Sequence, residues 1–175
     1  MLEKRYKPGL AALNSVVYVF GGLGLSTNER LQDGNCAQIA ASKERSAFTP
    51  AIHNAEIYLW YNKDGKDGID AYSPEKDQFR TFLTWTIYCD NLRNSVLVVK
   101  DEEVVFLTID GRILRKRSGE KRPVVIEKCC PVGWSKVEMS PVACGSRVYW
   151  TSYGNIVEFD PDRDLVREIY HNIDS

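Results

Sequence analysis

Hydrophobic residues in this chain come in short runs, and the runs recur. Val16-Val-Tyr-Val-Phe-Gly-Gly22, Ile57-Tyr-Leu-Trp60, Val104-Val-Phe-Leu107 and Val148-Tyr-Trp150 put Tyr18, Tyr58, Val105 and Tyr149 at matching positions about every 40 residues. A shorter apolar run precedes each, at 10–13, 50–53, 95–99 and 141–144. Downstream, an apolar residue is followed seven positions later by another across a polar turn, in Tyr72-Ser-Pro-Glu-Lys-Asp-Gln-Phe79 and Phe159-Asp-Pro-Asp-Arg-Asp-Leu-Val166. Ala41 to Phe48 is a weaker copy and Arg117 to Val124 a degraded one, so the anchors of the repeated spacing, residues of third strands, are expected at 41, 72, 117 and 159. The runs are rich in Val, Ile, Tyr, Phe and Trp and are bounded by Gly, Asn, Asp and Pro, which predicts strands joined by tight turns. No amphipathic helix is predicted. Each unit reads as a four-stranded meander, and a unit of that size cannot bury its apolar face alone, so the pattern predicts a repeat architecture.

The segment Leu10-Ala-Ala-Leu-Asn-Ser-Val-Val-Tyr-Val-Phe-Gly-Gly22 resembles the start of a kelch repeat: a short inner strand, a turn at Asn14-Ser15, then an apolar run closed by a Gly pair. The aromatic-to-apolar spacing resembles its second half. The resemblance implies an all-β fold, a kelch-like β-propeller or partial propeller of about four four-stranded blades. It makes 1–175 one domain, with blades near 7–49, 50–86, 94–127 and 138–172. Only the first unit keeps the Gly pair, and Phe48, Phe79, Val124 and Val166 stand where the family carries Trp. No Trp-Asp dipeptide occurs, which argues against a WD-type repeat. A β-sandwich and a hemopexin-like four-bladed propeller stay open. Kelch propellers usually close with more than four blades, so three arrangements remain: a small ring, pairing with a second copy, or completion by another polypeptide.

Length and composition fit a globular domain with a core of its own, at 175 residues and 43% hydrophobic content. A net charge of −1 gives no global attraction to nucleic acid or to a membrane. The longest apolar run is far short of a membrane span, and the charged start Met1-Leu-Glu-Lys-Arg-Tyr does not read as a signal peptide. Five cysteines, at 36, 89, 129, 130 and 144, form no Cys-x-x-Cys pair, so free thiols in a reducing setting are expected. The expected location is cytoplasmic, with the nucleus as an alternative.

Candidate chemistry is sparse. Histidine occurs only at 53 and 171, too little for a triad or a metal cluster. Gly22-Leu-Gly24 starts like a dinucleotide fingerprint without its third glycine or its helix. Glu102-Glu103 and the pair Asp160 and Asp162 fall in predicted turns, where solvated carboxylates are the ordinary outcome. No enzyme, cofactor or metal is therefore expected. Two features point to binding. Trp85, Tyr88 and Trp134 lie on predicted long loops at 84–94 and 127–138, where aromatics act as hot spots or plug the gaps between blades. Arg112, Arg115, Lys116, Arg117, Lys121 and Arg122 surround a single acid, Glu120, on the outer hairpin of the third unit. They read as solvated edge decoration, or as a contact for an acidic protein or for phosphates. The expectation is a non-catalytic protein-interaction module, adaptor-like or substrate-receptor-like by analogy with kelch domains of ubiquitin-ligase adaptors. The alternative is a structural subunit of a larger, nucleoprotein-type assembly. Partners are expected to be proteins, in a homodimer or a hetero-complex.

Overall fold

The computed structural model describes residues 2, 4–5, 8–22, 27–41, 50–63, 66–85, 95–108, 112–120, 123–126, 142–144, 147–152 and 155–170. They form sixteen strands in four antiparallel sheets, and the described residues include no helix. The first sheet is β1 (Gly9–Leu13), β2 (Val16–Phe20), β3 (Asn28–Gln32) and β4 (Asn35–Ile39); the second is β5 (Ala51–His53), β6 (Glu56–Lys63), β7 (Lys66–Ser73) and β8 (Gln78–Trp85). The third is β9 (Val96–Lys100), β10 (Glu103–Leu107), β11 (Ile113–Arg117) and β12 (Val124–Ile126). The fourth is β13 (Val142–Cys144), β14 (Arg147–Ser152), β15 (Asn155–Asp160) and β16 (Leu165–Tyr170). In every sheet the spatial order is the chain order, a plain meander.

Turn chemistry sets the registers. Asn14-Ser15 and Asn54-Ala55 both adopt left-handed backbone, at φ 51° and 62° and at 48° and 58°, as a two-residue hairpin turn requires. They pair Leu13 with Val16 and His53 with Glu56. The recurring positions Tyr18, Tyr58, Val105 and Tyr149 pair with Ala11, Ala51, Val98 and Val142, so each is the third residue of its sheet's second strand. The seven-residue spacing is a cross-strand pair: Tyr72 faces Phe79 and Phe159 faces Val166 across four-residue turns.

Two expected hairpins lie elsewhere. In the first sheet the outer hairpin is β3–β4 around Asp33-Gly34, both left-handed at φ 49° and 77°, and not one anchored at Ala41. The copy from 42 to 48 lies outside the described residues. In the third sheet Val124 pairs with Arg115 and not with Arg117, because the connection is longer there.

The chain divides into two compact units, Met1–Arg93 and Asn94–Ser175. In the first, one side of the first sheet (Ala11, Val16, Tyr18, Phe20, Ile39) packs on one side of the second (Ile57, Leu59, Tyr72), with Phe79 at the margin. Tyr72 meets Tyr18 and Phe20 edge-on at centroid distances of 5.8 and 5.7 Å and tilts against Phe79 at 4.9 Å. In the second unit Val105, Leu107 and Ile113 of the third sheet pack on Val148, Trp150, Val157, Phe159 and Val166 of the fourth. Tyr72 and Phe159 are thus buried third-strand residues joining a sheet to its neighbour, as the spacing implied.

Gly68 faces Tyr61 in the β6–β7 ladder, and the ring lies over its backbone: a Cβ at 68 would sit 2.4–2.7 Å from the tip of the ring. Because Tyr61 is buried, the ring has little room to swing. Gly68→Ala is expected to cost about 1–3 kcal/mol in urea or thermal unfolding, and a neutral result would show that the ring relocates freely.

Candidate functional site

The basic hairpin of the third sheet folds into a mixed-charge cleft of about 710 Å³. Arg115 projects from β11 toward the β15–β16 turn. Its Nη1 donates to Glu103 Oε2 at 2.7 Å, its Nε donates to Asp164 Oδ1 at 3.1 Å, and its Nη2 donates to the same oxygen and to the Pro161 carbonyl. Burial works against the charge of this guanidinium, but Asp164 and Glu103 outweigh it and raise its pKa. Arg117 Nε donates to Glu103 Oε1 at 3.1 Å, and Lys100 pairs with Asp162. The Lys116 ammonium is buried, donates to the Arg117 carbonyl, and has its pKa lowered by desolvation. Arg112 is exposed.

This geometry corrects two expectations. The hairpin is not uniformly solvated decoration, since Lys116 is buried and Arg115 ties the third sheet to the fourth. Its surroundings are not basic either: Asp101, Glu102, Glu103, Asp162 and Asp164 line the cleft against Lys100, Arg115 and Arg117. Asp162 and Asp164, on a turn where solvated carboxylates are the ordinary outcome, are both held in ion pairs.

The turn aspartates are functional parts of the fold that sequence reasoning missed. Asp77 closes the β7–β8 turn at φ 48°, and Asp164 closes the β15–β16 turn at φ 51°. Asp77 Oδ1 accepts from the Tyr72 hydroxyl at 2.8 Å and from the Ala40 N–H at 2.9 Å, joining the second sheet to the end of the first. Asp164 reaches Arg115 of the third sheet in the same way. The signal is present twice, as Pro74-Glu-Lys-Asp77 and Pro161-Asp-Arg-Asp164. In each, proline starts the turn and aspartate tolerates its left-handed last position.

Trp85 is not on a loop. It is the last residue of β8, opposite Asp67, and is only 3% exposed, which is not the exposed position a hot spot needs. Tyr88, Trp134, Lys121 and Arg122 lie outside the described residues, as do Cys89, Cys129, Cys130 and His171. His53 is half-buried and tilts against Tyr58 at 6.4 Å. Among the described residues no group of three His, Cys, Asp or Glu side chains is arranged to hold a metal ion. Cys36 is a free thiol that donates to Glu29 Oε2 at 3.1 Å.

Among the described residues the exposed large apolar side chains are Leu2, Leu10, Val17, Val124, Ile156, Leu165 and Ile169, five of them on the first and fourth sheets. Strand alternation sends Leu10 and Val17 to the side of the first sheet opposite its core, where they are 58% and 42% exposed. On the fourth sheet Ile156, Leu165 and Ile169 are 37%, 40% and 46% exposed on the side away from Phe159. Between them lies a charged knot. Glu158 Oε2 accepts from the Tyr149 hydroxyl at 3.0 Å and from Arg147 at 3.3 Å, and Oε1 accepts from Arg167 at 2.8 Å. Burial opposes the Glu158 charge, but these donors outweigh it and lower its pKa. The arrangement suits a surface that another protein can cover: apolar rims with the charges already paired between them.

No protein-family model matches this sequence, and no curated protein does. Solved structures share its fold. YjhT aligns at a TM-score of 0.61 and 12% identity over 99% of this chain and 67% of that one. A chain of the nidogen/laminin complex aligns at 0.59 and 13%, over 97% and 65%. Glutaminyl cyclase from Myxococcus xanthus aligns at 0.55 and 11%, over 93% and 68%. This chain spans about two thirds of the length of these three chains. YjhT and the nidogen/laminin chain are β-propellers, and the likeness shows a β-propeller fold here and nothing finer.

Proposed function

We propose that this chain is a propeller-type protein-interaction module of kelch-like character. The observation that carries the reading is the patch of exposed Ile156, Leu165 and Ile169 on the side of the fourth sheet away from Phe159, around a Glu158 whose charge is already paired. Apolar patches of this kind on a rigid scaffold mark interaction surfaces. A similar scaffold in the nidogen/laminin complex belongs to a protein that binds another protein, which supports the reading by analogy of fold. The glutaminyl cyclase likeness is a reminder that such a scaffold also hosts catalysis; its identity is too low to transfer an activity. A nucleoprotein contact through the hairpin at 112–122 loses support from the acids that surround Arg115 and Arg117. A reducing cytoplasmic or nuclear setting, in which Cys36 stays a thiol, fits this proposal.

The test is affinity capture from native extract with the wild-type chain and with a Leu165→Lys and Ile169→Lys variant. Capture of a defined protein set by the wild type, reduced at least tenfold in the variant, is expected. Equal capture by both chains would move the interaction off this face.

A further inference from the structure

We propose that the cradle which holds Arg5 on the first sheet is a guanidinium site: the N-terminal segment fills it within the chain, and with Arg5 withdrawn it takes the arginine side chain of another peptide. None of its residues belongs to the fourth-sheet patch, so neither reading stands or falls with the other. Arginine carries five N–H donors in a rigid planar fork. The cradle answers all five. Arg5 Nε donates to Glu29 Oε1 at 3.2 Å, and Nη2 donates to the same oxygen at 2.5 Å and to Thr27 Oγ1 at 3.1 Å. Nη1 donates to the Gly21 and Thr27 carbonyls at 2.6 Å each. A lysine ammonium has only three donors, all on one atom, and cannot serve acceptors spread around three nitrogens, so the geometry selects arginine.

The acceptors are placed by the sheet and not by Arg5. Glu29 lies inside β3, opposite Val19 of β2 and Gln38 of β4. Its other oxygen, Oε2, accepts from the Cys36 thiol at 3.1 Å, which steadies the carboxylate from the β4 side. The Gly21 N–H donates to the Thr27 carbonyl at 3.2 Å and to Asn28 Oδ1 at 3.1 Å, and Asn28 Nδ2 donates to the Ala40 carbonyl at 2.8 Å. Gly21 and Gly22 take φ of 56° and 123° where β2 ends, a backbone that glycine adopts without strain. A site whose acceptors are already in place loses little free energy to rearrangement when a ligand enters.

The cradle is also sealed from water. Both the Arg5 and Glu29 side chains are buried, and a carboxylate buried in this way demands a cation with matched donors. The segment that supplies the cation is held through little else. Leu2 and Lys4 are exposed, and among the described residues the bonds of Leu2 and Arg5 all end in this cradle, the Leu2 N–H donating to Glu29 Oε2 at 2.8 Å. The N-terminal segment thus sits as a bound arginine peptide would, by one buried guanidinium and a main-chain contact beside it.

The experiment uses the full chain carrying Arg5→Ala. Millimolar ethylguanidinium should raise its unfolding temperature saturably, and ethylammonium should not. Neither ion should stabilise the chain carrying Arg5→Ala with Glu29→Gln, whose cradle lacks the carboxylate. The labelled peptide Met-Leu-Glu-Lys-Arg-Tyr-Lys-Pro, the chain's own first eight residues, should bind Arg5→Ala at least tenfold more tightly than it binds the wild type, where the cradle is filled. It should also bind at least tenfold more tightly than the same peptide with lysine at its fifth position. If Arg5→Ala does not fold unaided, the comparison is read as recovery of β-sheet circular dichroism, which ethylguanidinium should restore and ethylammonium should not. Equal effects of the two ions, no saturable effect of either, stabilisation of the double variant, or peptide binding that ignores Arg5 or the arginine would each overturn the proposal.

Discussion

Replacing Tyr72 or Phe159 by alanine is expected to cost about 3–5 kcal/mol of stability each, the range for deleting a large buried aromatic ring. Both side chains are essentially inaccessible, at 1% and 0%. Tyr72 contacts three aromatic rings, two of them on the neighbouring sheet, and burial together with its bond to Asp77 raises its pKa. Tyr72→Phe keeps the ring and removes only that hydrogen bond, so it should cost about 1 kcal/mol. Urea unfolding of the three variants separates the terms. A Tyr72→Ala loss no larger than that of Tyr72→Phe would mean that the ring does not join the two sheets.

The N-terminal segment carries the second large effect. Arg5 and Glu29 side chains are 0% and 1% exposed and meet at 2.5 Å. Arg5 Nη1 also donates to the Gly21 and Thr27 carbonyls at 2.6 Å each, binding the ends of β2 and β3 together. Arg5→Ala would leave a buried carboxylate without its cation, and a loss of about 3–5 kcal/mol is expected. Burial raises the pKa of Glu29, but the bonds from Arg5, Cys36 and the Leu2 N–H outweigh it and bring the pKa from 4.5 down to about 2. Because the folded value is the lower one, this stabilisation is fully present above pH 4.5 and drains away as the pH falls toward 2. Its full size is roughly 3 kcal/mol. Stability measured between pH 6 and 2 should fall more steeply for the wild type than for Glu29→Gln, and parallel curves would refute the assignment.

Most of the strand pattern was legible because alternation and turn residues act locally. The second strands, the Asn14-Ser15 turn and the pairs Tyr72 with Phe79 and Phe159 with Val166 are all visible as spacings. The β3–β4 hairpin was not. Asn28-Glu-Arg-Leu-Gln-Asp-Gly-Asn-Cys-Ala-Gln-Ile39 is too polar to read as strands, apart from its Asp-Gly turn. Long-range contacts hold it in place: Glu29 with Arg5, and Asn28 with the Gly21 N–H and the Ala40 carbonyl. The candidate site was read less well for the same reason. A run of arginines looks basic in one dimension, while the acids that answer it come from β10 and from the β15–β16 turn. Trp85 looked like a loop residue because the length of β8 is set by its pairing with β7 and not by its own composition.

The plain meander bears on how the chain acquires its structure in time. No ladder skips a strand, so every backbone pairing closes only a short loop, and each sheet can zip from its turns with little entropy lost to closure. The interlocking of Tyr18 with Tyr72, or of Val105 with Phe159, joins segments far apart in sequence and is expected to come last. Changes at Asn14-Ser15 or Asn54-Ala55 are then felt mainly as slower folding, and changes at the aromatic joints mainly as faster unfolding. The persistence of the native state is set at the seams, and the speed of reaching it at the hairpins.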